Sequence, residues 1–557
     1  MVFLWRRKVG THEDWYLRKT ARVNGKVKVV LNLYLGTPEQ ILARHLARKN
    51  APASFSLCSF SFGTMAAILA ADEDLGFSSI VRNVVGAQSS ALAFLAYLAG
   101  RSEEPLSKNA MPEWFDRSWL RAMKPNMPSL SCRSYLRHMD KLTEERIRDI
   151  TFRLAKRMVD LGFRPSLVFF DPTNFSTEQQ PDYDDPDRQM ARCGHPKDGN
   201  FQAKLVGLAL ATTEEHLPVF HDVYPGNEND VTVFQNVVGS MVNHLLKLGM
   251  KSDDLVFVFD KGNNSEDGLT ALVDFKVHFV CSLKRNQVAN LINRPLTSYQ
   301  KIHRTEKGEH ILGFREKKTV MGVSGVVVMA YNESAKKRQT KDYDRAKAKF
   351  LSGCSTLAEK MSKKHRGRKS TIQSVTERVE DILPKKWRGV FKYHIGATLD
   401  EDPPRFTIKA WIDEKRETSL RAGFGKTVVF TDRSDWTDEK IVSTYFARSA
   451  MEENNHILKD VLLFPVMPIY HRLDKRIRVH AFLCVMGLLF YRYIQLKVER
   501  KLGQRIPIDR LVAELHRIRV GGVSQDGKKT FKFVLEDTTK EGSALVKALD
   551  LAKFVPN

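Results

Sequence analysis

Two apolar runs that each close on an aspartate, LVFFD ending at Asp171 and LVFVFD ending at Asp260, set the tightest constraint on how this 557-residue chain folds. Runs this short, rich in Val and Phe and bounded by polar loops, are strands rather than helices. Between them lie two further strand-like runs, FQAKLVGLALAT (201–212) and PVFHDVYPG (218–226), each stopped by turn residues. Asp230 then opens an apolar-periodic helix, VTVFQNVVGSMVNHLLKLG, as its expected N-cap. Strands and a helix in this order predict an α/β fold in which a sheet is flanked by helices. The strand-to-loop edge is where such sheets hold ligand-binding groups, so Asp171 and Asp260 are candidate functional acids. The ordinary alternative for each is a turn cap.

A third acid comes from a helix. The run TVVFTD (427–432) resumes a strand, and Glu439 begins a long helix carrying Tyr445, Arg448, Glu452 and Lys459. On one unbroken helix, at about 100° per residue, the spacing of the four projects them into an arc of roughly 60°. A phenol, a guanidinium, a carboxylate and an ammonium then share one face. A solvated face is the alternative, because Arg448 and Glu452 are four apart and able to pair.

The order Asp, Asp, then Y-x2-R-x3-E-x6-K resembles the DDE transposases of the bacterial insertion-sequence 4 superfamily. The stretch GHPKDGNFQAKLVGLALATTEEHLPVFHDVYPGNENDVTVF (194–234) is similar to the segment that follows the first catalytic acid there. Within that superfamily the chain looks closest to the insertion-sequence 1634 group. The resemblance implies a ribonuclease H-like mixed sheet with flanking helices, interrupted by an α+β insertion domain. It also implies that Asp171, Asp260 and Glu452 bind two Mg²⁺ or Mn²⁺ ions and are the catalytic residues of cut-and-paste transposition. Clustered carboxylates repel one another until a cation neutralises them, which suits that role. Tyr445, Arg448 and Lys459 would contact the transposon end. Its partners would be double-stranded DNA, as terminal inverted repeats and target, and a second copy in a homodimer. A ribonuclease H-like nuclease without joining activity, and a domesticated non-catalytic DNA-binding protein, are the alternatives.

Charge points the same way. The chain carries 89 Lys and Arg against 65 Asp and Glu, a net +24, and such a field suits a polyanion. Candidate DNA surfaces are the basic hairpin 15–35 around Asn24-Gly25, with Arg18, Lys19, Arg22, Lys26 and Lys28; the inserted stretch Lys336 to Arg368, with Arg366 and Arg368 in HRGRKS; and Lys475, Arg476 and Arg478. Each is alternatively a solvated charge run. Trp411 is a candidate for stacking on an unpaired base, in competition with Trp387 and Trp436, and plain packing is the alternative for all three. His456, four residues past Glu452, is not included as a ligand.

The six cysteines form no C-x-x-C pair, so neither a zinc knuckle nor a disulfide framework is expected. The apolar stretch 481–491 falls short of the about 20 residues that cross a bilayer and reads as a buried helix. The amino terminus lacks the apolar core of a signal peptide, so a cytoplasmic, nucleoid-associated prokaryotic protein is expected. No G-x-x-x-x-G-K-[ST] loop is present, and no nucleotide cofactor is expected. The expected division is a DNA-end-binding region with a basic hairpin and helices (1–110), a helical linker (111–164), the first part of the core (165–285), an insertion domain (286–425), the second part of the core (426–500) and a basic C-terminal region (501–557).

Overall fold

The computed structural model describes residues 1–23, 26–46, 55–123, 130–177, 179, 184–196, 203–305, 308–362, 370–398, 405–525 and 531–556. Its centre is a nine-stranded mixed sheet. The strands in chain order are β1 (Leu167–Thr177), β2 (Lys204–Thr212), β3 (Pro218–Pro225), β4 (Val256–Phe259), β5 (His278–Ser282), β6 (Gln300–Arg304), β7 (His310–Val320), β8 (Val323–Tyr331) and β9 (Lys426–Thr431). Across the sheet they run β6-β7-β8-β9-β5-β4-β1-β2-β3. β4 is parallel to β1 and β5 to β4, while β2 and β3 continue antiparallel from β1. This α/β arrangement is compatible with the expected ribonuclease H-like fold.

The short apolar runs are strands because both faces of the sheet are covered: all four residues of β4 are buried, as are eight of the nine in β2. β2 and β3 approach closely at Gly207, where an added Cβ would stand 2.0 Å from the Tyr224 ring. Helix α1 (Glu144–Asp160) starts at Thr143, whose side chain accepts from the Arg146 N–H. Helix α2 (Asp230–Lys247) is capped one residue earlier than expected, by Asn229 accepting from the Thr232 N–H at 3.0 Å.

The hairpin 317–331, which falls within the expected insertion domain, instead extends the central sheet: β7 pairs with β8, and β8 pairs antiparallel with β9 along Val326–Tyr331. The sheet therefore does not break at residue 286. A separate small core gathers Tyr343, Phe350, Cys354, Val379 and Phe391 from the helix Glu333–Ser362, the helix Ile372–Ile382 and a two-stranded sheet (Phe391–Thr398 and Arg405–Ile412).

The basic hairpin forms as expected, His12–Val23 against Lys26–Gly36, joined by Val2–Val9 into a three-stranded antiparallel sheet. Its turn residues Asn24 and Gly25 lie outside the described residues. The region after 500, expected only as a basic C-terminal region, has regular elements: Arg519–Gln525 pairs antiparallel with Phe55–Ser61 and Lys532–Leu535.

Glu439 does lie in a helix, but the helix is not continuous. Asp438–Ala447 (α3) and Ser449–Lys459 (α4) meet at Arg448, where three-residue bonds, Arg448 N–H to Tyr445 O and Met451 N–H to Arg448 O, tighten the chain. α3 packs on β4, β5, β8 and β9; α4 packs on β1 and on α5 (Asp474–Leu502). α5 contains the apolar stretch 481–491. By length and composition it is able to cross a membrane, yet 94% of its most apolar window is buried within the protein. At Gly487 the Phe464 ring lies against it, 2.4 Å from where a Cβ would stand.

One charge is sealed between α4 and α5. Arg492, 1% exposed, donates to Asn454 Oδ1 (2.6 Å), Gln495 Oε1 (2.8 Å) and Glu453 Oε2 (2.9 Å). Removing one member of a buried charge network strands the others, at a cost of about 3 kcal/mol. Arg492→Met is therefore expected to lower the melting temperature by several degrees in thermal unfolding, and unchanged melting would exclude this role.

Candidate active site

Parallel pairing sets the two aspartates side by side. Phe169 of β1 is in register with Val258 of β4, and two residues further along each strand come Asp171 and Asp260. Asp260 follows the last residue of β4, as expected. Asp171 does not end its strand: β1 continues to Thr177, paired with β2 throughout. Past Phe169 the strand has lost its β4 neighbour in the ladder, and this one-sided stretch accommodates Pro172.

Three donors converge on Asp260 Oδ1: the Ser282 hydroxyl at the end of β5 (2.6 Å), the Lys261 N–H (2.8 Å) and the Tyr445 hydroxyl (3.1 Å). Asp171 Oδ2 accepts from Asn455 Nδ2 at 2.8 Å. The other oxygen of each carboxylate faces the same guanidinium, with Arg448 Nη1 3.9 Å from Asp171 Oδ1 and Arg448 Nη2 3.9 Å from Asp260 Oδ2. Arg448 Nε is buried without a hydrogen-bond partner among the described residues. Ser282 and Asn455 were not singled out from the sequence, although Asn455 stands seven residues after Arg448 and three after Glu452.

These contacts fix the charge states. Burial pushes the Asp260 carboxyl up, but the Ser282 hydroxyl, Arg448 and the Lys261 N–H outweigh it and hold the group below its ordinary value. Burial, reinforced by the Asp260 charge, pushes the Tyr445 phenol up to about 12. At neutral pH Tyr445 is thus a hydrogen-bond donor and not a phenolate nucleophile.

Glu452 lies in the first turn of α4, exposed and without a hydrogen bond or ion pair among the described residues. The structure brings together two of the three predicted acids; among the described residues no three His, Cys, Asp or Glu side chains form a metal-holding group. The pair itself fits a divalent cation. Both acids offer hard oxygen donors, Asp260 stays ionised, and the space between them already receives the positive charge of Arg448.

The remaining predicted residues divide. Lys459 ends α4, its Nζ 5.8 Å from the Phe175 ring centre. His456 pairs with Asp460 at 3.3 Å. Lys19, Arg22 and Lys28 are exposed on the N-terminal sheet. Trp411 is 48% exposed on the two-stranded sheet, whereas Trp436 is buried and Trp387 packs edge-on against Tyr343. Arg366 and Arg368 lie outside the described residues. The basic cluster at the start of α5 is not a free surface: Arg476 holds Asp140 at 2.7 and 2.9 Å, Lys475 approaches the same carboxylate at 3.6 Å, and Arg478 holds Glu144 at 2.8 Å.

A search of curated proteins finds no match to this chain. The family model described as the transposase DDE domain matches residues 162–488, more than half of the chain. That span covers β1 through the first half of α5 and contains every residue around Asp171 and Asp260, so the chain belongs to the transposase DDE domain family.

Proposed function

We propose that this transposase carries out cut-and-paste movement of an insertion sequence, of the insertion-sequence 4 superfamily and its 1634 group, acting on DNA as a homodimer that joins two transposon ends to a target. The observation that carries the reading is the pair of ionisable acids on adjacent parallel strands sharing one guanidinium within a transposase domain. Asp171 and Asp260 hold two Mg²⁺ or Mn²⁺ ions, with Glu452 as the third acid, brought in from the first turn of α4. When bound, such ions activate the attacking water or 3′-hydroxyl and stabilise the leaving oxygen.

The protein's own groups prepare that chemistry. Ser282, Tyr445 and the Lys261 N–H keep Asp260 deprotonated and fixed, and Asn455 orients Asp171. Arg448, whose two Nη groups stand 3.9 Å from the carboxylates and so beyond hydrogen-bond distance, has donors to spare for a phosphate of the transposon end, and its fork geometry suits that group. Lys459 supplies a further cation along the same helix. The exposed Lys19, Arg22 and Lys28 form a face for duplex DNA, and Arg366, Arg368 and Trp411 are assigned to DNA contacts from the insertion.

Incubating the protein with its terminal sequences and Mg²⁺ tests the reading. Wild type is expected to excise and insert, while Asp171→Asn loses at least 10³-fold in cleavage, about 4 kcal/mol of transition-state stabilisation, yet still binds the ends. Nicking without joining would favour the nuclease alternative, and full activity in Asp171→Asn would remove the acid from the mechanism.

Acidity gives a second check. The folded Asp260 carboxyl titrates below its ordinary value of 3.8, so its ionisation contributes stability above that value, and the contribution is lost as pH falls through the folded value. In metal-free buffer Asp260→Asn is expected to be less stable by about 1 kcal/mol near pH 7, from weakened charge-assisted hydrogen bonds. The gap between the two melting curves should close below pH 4; a gap that widens there would contradict the assignment.

A further inference from the structure

A second cationic site lies beyond the catalytic helix. The loop that follows α4 and the chain around Pro105 enclose a cavity of ≈ 830 Å³ lined by Arg101, Lys108, His471, Arg472 and Arg476. No acidic side chain lines it among the described residues. Arg476 is committed to Asp140, but Arg101 and Lys108 have no carboxylate partner among the described residues. Arg101 is 7% exposed; it donates to the Leu106 and Pro465 carbonyls, and its Nε is left buried and unpartnered. Both cations stand over the ring of the fully buried Tyr97, Arg101 at 5.6 Å and Lys108 at 5.3 Å. His471 Nε2 is likewise buried with no hydrogen-bond partner among the described residues.

We propose that this cavity binds a phosphate group of a nucleic-acid strand, a reading that rests on the DNA-transposing role above and extends it to a site outside the catalytic centre. Buried donors and uncompensated positive charge are costly until an anion arrives, and a phosphate presents enough acceptor oxygens to satisfy several of them at once. The Lys108 ammonium reflects that cost: burial, and then Arg101, push it down to about 8. At the rim Tyr470 is 73% exposed and offers an aromatic face to a base, which favours a nucleotide unit over a bare anion.

Position connects the cavity to the catalytic strand. Its wall begins at Val461, two residues after Lys459 at the end of α4, and between the lining residues Pro468 and Tyr470 the Ile469 carbonyl accepts from Thr177 Oγ1 at 3.0 Å. Thr177 ends β1, six residues or about 20 Å from Asp171 at strand rise.

The test is fluorescence anisotropy with a labelled 12-nucleotide single strand in EDTA, which separates binding from catalysis, so that failure of the metal-site reading leaves this result untouched. Lys108→Gln is expected to bind about tenfold more weakly than wild type, whereas Lys415→Gln, an exposed control of equal charge change, shifts binding less than twofold. Competition with dAMP and with inorganic phosphate identifies the source. Failure of millimolar dAMP to displace the strand assigns the cavity to DNA, and displacement assigns it to a free nucleotide with the same phosphate chemistry. Equal binding by Lys108→Gln and Lys415→Gln overturns the proposal. Should Lys108→Gln fail to fold, Tyr470→Ala at the exposed rim decides instead: at least fivefold weaker binding supports the site, and unchanged binding refutes it.

Discussion

Two negative groups on neighbouring strands are the condition around which the rest of the structure is arranged. The register of β1 and β4 sets Asp171 beside Asp260, and the hydrogen bonds at Asp260 favour its charged form. Arg448 answers both at 3.9 Å. An attraction at that range amounts to about 4 kcal/mol at an effective dielectric near 20, before water screening and desolvation reduce it. The guanidinium thereby keeps the acidic pair compatible with folding, and its buried Nε has no hydrogen-bond partner among the described residues.

Support for this centre comes from two sides. α3, which carries Tyr445, rests on the sheet strands that bear Asp260 and Ser282; α4, which carries Glu452 and Asn455, rests on β1 and α5. Arg492 ties α4 to α5 through Asn454 and Glu453, the residues immediately before Asn455 and after Glu452. The apolar length of α5 serves this scaffold, since its most hydrophobic segment is packed inside the molecule.

Much of this was legible in the sequence because it depends on local pattern. Short apolar runs of Val and Phe gave β1 and β4, and the apolar-periodic run after Asp230 gave α2. What escaped depends on partners distant in the chain. Asp171 lies within a strand because β2 continues alongside it, and the hairpin 317–331 belongs to the main sheet because β9, nearly a hundred residues later, pairs with it. The supposed DNA-facing cations Arg476 and Arg478 are engaged by Asp140 and Glu144, far away in sequence. Likewise Ser282 and Asn455 carry no signal of their own; only the fold brings them to the carboxylates.

The interruption at Arg448 divides what looked like one rod into two short levers mounted on separate beds. A disturbance in the α5 bed reaches Glu452 and Asn455 while leaving Tyr445 seated on its own strands. Injury to the acidic centre is therefore modular: one class of lesion displaces the exposed Glu452, another unseats Asp260, and the arginine at the joint registers both.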